Sequence, residues 1–210
     1  MATIEERVQN IYKDYIERIS RYIVRYEVLS NEFPLEILNE IRAVFTHLAK
    51  YYLADDPEIK AKNVSKTEGH IQRAILDCYK YLCTVYEDKL KEFKREYENV
   101  DLSLVDNGEF LPKLLEMHDA ATTLMFDARE SDLVINSDDE TSVGEAYQKY
   151  EDAFVKYSEV YELITSSSIK AEALKRKVVL KKTRESRIGI IGIIVGIIGV
   201  VTGIMFKFFF

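Results

Sequence analysis

Tryptophan is absent, and proline is nearly so, with three residues in a chain of 210. Eight glycines complete a short supply of turn residues. An all-β fold with many tight turns is thereby excluded. Two cysteines, Cys78 and Cys83, are too few for a disulfide framework or a structural zinc site. The first nine residues are charged and lack an apolar core, so no secretory signal is expected there. No HExxH, no D-x-D-x-D-G loop and no glycine-rich phosphate loop occurs, so neither a metal nor a cofactor is expected. Serine-hydrolase motifs are also missing.

What is present is a chain with 47% hydrophobic and 31% charged residues, enough of each for a packed core under a solvated surface. The net charge of −7 is unevenly spread. Residues 170–187 carry a net +6, and residues 1–169 a net −14. The basic collar comprises Lys175, Arg176, Lys177, Lys181, Lys182, Arg184 and Arg187, together with Lys170. Behind it, residues 188–206 form an uncharged run of 19. About 20 apolar residues span a hydrocarbon core, so 188–207 is expected to be a single transmembrane helix. The positive-inside rule then places residues 1–187 on the cytoplasmic side of the inner (cell) membrane, with membrane lipid as a partner of the collar. Gly189, Gly192, Gly196, Gly199 and Gly203 recur at steps of three and four. Such a small-residue face predicts helix packing in lipid, most simply in a homo-oligomer.

Upstream, apolar residues recur at helical spacing. Ile4, Val8, Ile11, Tyr15, Ile19, Tyr22 and Tyr26 predict a helix over 3–29. A second helix is expected over 34–54 and a third over 57–99, with Asp55 or Asp56 as cap and a bend at Gly69. Asn107-Gly108 marks a loop at 100–110, and a fourth helix should cover 111–130. Ser137 with Glu140 reads as a capping box opening a fifth helix, which resumes after Ser166–Ser168 toward the C-terminus. The expected fold is all-α, an antiparallel helical bundle over 1–169 whose long C-terminal helix leads into the membrane. Aromatic stripes of the first and fifth helices are expected to be core, with a self-pairing coiled coil as the alternative for the fifth.

His118 reads as a core or rim histidine. The residues with chemical promise are Arg42 and His47 on the second helix. An arginine that holds phosphate and a histidine that moves protons are the parts a metal-independent ribonuclease needs. The two-residue link between the second and third helices predicts antiparallel packing, with paired positions summing to about 111. His70 and Arg73 then fall beside Arg42, with Glu40 or Glu68 as counter-ions. The alternative is a set of surface ion pairs on two charged helices.

The stretch EILNEIRAVFTHLAKYY…KTEGHIQRAILDCYKYL, from Glu36 to Leu82, resembles the HEPN superfamily of helical domains found in prokaryotic toxins and defence systems. The resemblance implies an Arg-x4-His ribonuclease site at a dimer interface. Arg42 would bind phosphate and His47 would help activate a ribose 2′-hydroxyl, leaving a cyclic phosphate. Ala43 stands where active members carry a polar residue, which keeps a non-catalytic HEPN-like bundle in view. Three functions are therefore expected: a membrane-tethered, self-associating defence effector that acts by assembly or perturbation of the membrane; a membrane-anchored endoribonuclease acting on RNA; and a non-enzymatic scaffold that binds another defence protein.

Overall fold

The structure, a computed structural model, describes residues 2–134 and 140–209. Among the described residues there is no strand, and the α-helices are α1 (Ile4–Asp14), α2 (Ser20–Ser30), α3 (Leu35–Leu53), α4 (Pro57–Glu96), α5 (Phe110–Val134) and α6 (Glu140–Phe209). The all-α expectation is met.

Local chemistry sets the boundaries. Thr3 and Glu6 form a capping box that opens α1: the Thr3 hydroxyl accepts from the Glu6 amide, and the Glu6 carboxylate accepts from the Thr3 amide at 2.7 Å. The chain leaves α2 through Asn31 in the left-handed region, φ 59°, a conformation asparagine tolerates. Asp56 accepts from the Glu58 amide at 2.8 Å and starts α4. α4 runs without a break past Gly69. The capping box read at Ser137 and Glu140 lies outside the described residues.

One feature of the first helix has no trace in its periodicity. Tyr15–Ile19 is a π-helical turn between α1 and α2. Arg18 lies within this turn and is part-buried. Arg18 donates to the Tyr79 hydroxyl and, at 3.1 Å, to Glu151, which also accepts from Tyr79 at 2.8 Å. The guanidinium lies 5.9 Å and 5.8 Å from the Tyr79 and Tyr147 ring centres. Burial and the Glu151 carboxylate push the Tyr79 hydroxyl well above its ordinary range.

The chain divides into two compact units, residues 1–93 with 113–164, and residues 94–112 with 165–210. The first is built around α4, whose Val64, Ile75, Tyr79, Leu82, Tyr86 and Leu90 are buried. Tyr22 meets Phe154 edge-on at 5.3 Å, Tyr79 stacks on Phe154 at 5.0 Å, and Tyr86 stacks on Tyr161 at 5.1 Å. The aromatic stripe of the fifth predicted helix is thus core. In the second unit, Tyr97, Val105, Phe110 and Ala171 are buried. Lys170 pairs with Asp106, and Lys175 pairs with Glu96 at 3.1 Å while lying over the Tyr97 ring. Arg176 pairs with Glu172.

The membrane expectation is corrected. Among the described residues no helix is long and apolar enough to cross a membrane. A span needs about 20 consecutive apolar residues. On α6, Lys177, Lys181, Lys182, Arg184 and Glu185 stand exposed, and the described side chains of the apolar end stop at Ile193. The transmembrane helix at 188–207, the single-pass placement in the inner membrane and the lipid contact of the collar are therefore not supported. The side chains of Arg187 and the five glycine positions, Gly189, Gly192, Gly196, Gly199 and Gly203, lie outside the described residues.

Candidate active site

α3 and α4 pack antiparallel, and two cross-helix pairs fix their register. Glu40 meets His70, and His47 meets Asn63. Glu40 and His47 are seven residues apart, two helical turns, and so share one face of α3. Asn63 and His70 repeat that spacing on α4. The sequence pattern thus makes two matched faces, and the hairpin brings them together. The His47 and His70 rings stack with centroids 5.3 Å apart and planes at 20°.

Each ring is held through its Nδ1. Asn63 donates its amide N–H to the Ile59 carbonyl at 2.9 Å, which turns its own carbonyl oxygen toward His47. That oxygen only accepts, so His47 Nδ1–H donates to it, at 3.0 Å. His70 Nδ1 lies 2.7 Å from Glu40 Oε2. The same nitrogen lies 2.8 Å from Arg73 Nη2, which only donates, so it sits between an acceptor and a donor. Arg73 is also held by Glu40, to which its Nε donates at 3.2 Å. Among the described residues neither Nε2 has a protein partner. Both side chains are part-exposed.

Of the four residues singled out in the sequence, three come together: His47, His70 and Arg73. Arg42 does not. It is two residues on from Glu40, about 200° around the helix, and is exposed on the far side of α3. Its part in the described network is its backbone carbonyl, which accepts from Thr46 at 2.9 Å. Glu40 serves as the counter-ion. Glu68 is engaged by Arg7 of α1, whose Nε donates to it at 2.8 Å. Asn63 was missed by sequence reasoning. Its signal is its place on the buried face of α4, where a polar side chain must find partners. Ala43, one turn before His47, is small and half-buried.

Other candidate groups are inert or occupied. Burial pushes both the Cys78 and Cys83 thiols up to about 12, which removes thiolate chemistry near neutral pH. His118 faces Glu87 at 2.8 Å, as a rim histidine would. Among the described residues no group of three or more His, Cys, Asp or Glu could hold a metal ion. A surface cleft of about 430 Å³ lies between α2 and α4, but its Tyr26, Tyr81, Lys80 and Lys89 are already tied to carboxylates. No protein-family model, no curated protein and no solved structure matches this chain.

Proposed function

We propose that the α3–α4 hairpin is a metal-independent ribonuclease site that uses His47 and His70 as a proton-transfer pair. The observation that supports it is the pair itself: two stacked imidazoles, each with Nδ1 anchored and Nε2 left over. A carboxylate behind a ring steadies an imidazolium, and a neutral amide does not. His70, backed by Glu40, is the acid, and His47, backed by Asn63, is the base.

In the proposed step, His47 Nε2 takes the proton of a ribose 2′-hydroxyl. The 2′-oxygen attacks the adjacent phosphorus, and the bond from phosphorus to the 5′-oxygen breaks. His70, entering as imidazolium, gives its Nε2 proton to that leaving oxygen. The products are a 2′,3′-cyclic phosphate and a 5′-hydroxyl, with the proton carried from one histidine to the other. Arg73 stands beside the developing phosphate charge. The HEPN resemblance supports the same reaction class, with the difference that the second histidine replaces Arg42 as the partner of His47. Incubating the full chain with single-stranded RNA in excess chelator is expected to release fragments ending in 2′,3′-cyclic phosphate, read by mass spectrometry. Intact RNA, or ends bearing a 3′-hydroxyl, would overturn the proposal.

A second reading, self-association without catalysis, rests on a different face. Leu38, Phe45 and Tyr52 lie seven residues apart along α3, with Phe45 75% exposed. A heptad-spaced apolar stripe is the seam of paired helices, and Arg42 lies within it. Phe45→Glu is expected to convert any dimer to monomer in sedimentation velocity without changing helix content. A parent chain that is already monomeric at tens of micromolar would sink this reading.

A further inference from the structure

The hairpin has an open edge as well as a seam. On α4, Asn63 and His70 face α3, and Lys62, Lys66 and Arg73 follow one flank beside them at steps of four and seven. Lys62 and Lys66 are exposed, and among the described residues no carboxylate pairs with either. Lys50 is exposed on α3, within a turn of His47. Between residues 60 and 73 there are four cations, Lys60, Lys62, Lys66 and Arg73, against the single carboxylate of Glu68, with Arg73 also paired to Glu40 of α3. Arg7 already neutralises that carboxylate. In a chain of net charge −7 this is a local reversal of sign, and it borders the histidine pair.

We infer that this flank is a phosphate track that holds single-stranded RNA across the His47–His70 pair; the inference rests on the ribonuclease reading of that pair. Lys62 and Lys66 are one helical turn apart, about 6 Å along the axis, close to the spacing of neighbouring phosphates in an extended strand. A duplex does not fit the requirement. The 2′-oxygen must swing into line with the leaving 5′-oxygen, which base-paired A-form geometry prevents and a single strand allows. The seam between packed helices, about 8–10 Å between axes, is also too narrow for a duplex to enter.

Tyr51 supplies a place for a base. It lies one turn beyond His47 on the same face of α3 and is half-exposed. Lys60 sits 6.0 Å from its ring centre, at the outer limit of a cation–π contact, so it is loosely held. An arriving base can take the ring while Lys60 turns to a phosphate, the combination by which single strands are held without regard to sequence.

The test uses the full chain and a fluorescent 2′-O-methyl RNA 12-mer, which binds but cannot be cut, titrated at several salt concentrations. Each lysine–phosphate contact on a single strand contributes about −0.7 to the slope of log K against log salt. Lys62→Gln and Lys66→Gln are each expected to flatten the slope by about 0.7, and the double variant by about 1.4. Tyr51→Leu should weaken binding severalfold with the slope unchanged, because stacking releases no counter-ions. Lys156→Gln, which removes a lysine paired with Glu159 on α6, is the control and should match the parent. Absence of binding, or slopes that ignore Lys62 and Lys66, overturns the track. Lysine-dependent binding of the analogue together with failure to cut unmodified RNA keeps the track and removes the catalytic reading.

Discussion

His70→Ala is expected to lower the rate of RNA cleavage by a factor of about 10² to 10⁴, the range a positioned acid or base supplies, while binding of uncleavable RNA changes far less. His47→Ala should do the same. The double variant should lose little more than either single one, because the two rings carry one proton through one step and act as a unit. The reaction needs one neutral and one charged ring, so the parent's rate should be bell-shaped in pH, and each single variant should keep at most one limb. Glu40→Gln separates positioning from chemistry. It keeps a hydrogen-bond acceptor for Nδ1 but removes the charge that steadies the imidazolium, so it should depress kcat with little change in KM. Arg42→Ala is the contrast. On the opposite side of α3 it should leave cleavage by a monomer within about twofold of the parent, a change worth less than 0.5 kcal/mol at 1.36 kcal/mol per tenfold. If Arg42→Ala is as damaging as His70→Ala, the site is assembled differently, across the exposed stripe of α3 by a second copy.

The largest expected loss of stability follows from Tyr79→Ala. Tyr79 is fully buried, stacks on Phe154, meets Tyr22 and Tyr147, and joins Arg18 to Glu151 through its hydroxyl. Truncating a buried aromatic costs about 3–5 kcal/mol through lost transfer energy and the cavity left behind. Here the change also takes the hydroxyl from between two charged groups. Against a typical stability of about 5–15 kcal/mol, that approaches unfolding, and urea denaturation followed by circular dichroism should show the midpoint fall steeply. Tyr79→Phe keeps the ring and removes the bridge. It should cost about 1.5–3 kcal/mol, the worth of a hydrogen bond to a charged group. Equal losses for the two variants would mean that the hydroxyl, and not the ring, supports this part of the core.

The helices were legible because their signals are local. Apolar steps of three and four, the cap at Asp56 and the scarcity of proline follow from the geometry of one helix at a time. The two-residue link between α3 and α4 also implied their antiparallel register, which placed His70 and Arg73 beside α3 before any coordinates. What that reasoning could not decide was rotation. A register summing to about 111 says which residues are level, but which of them face the partner depends on how each helix turns its stripe to the core. Burial of Ile37, Val44 and Leu48 turns Glu40 and His47 toward α4 and Arg42 away. The π turn at Tyr15–Ile19 was equally hidden, since the apolar steps run through it unchanged, and so were the contacts of Arg18 with Tyr79 and Glu151. The partners of the two histidines were likewise beyond the sequence, because an acceptor has to be brought to each ring. Those acceptors, Asn63 and Glu40, belong to the helix opposite each ring, and only packing brings them within 3.0 Å.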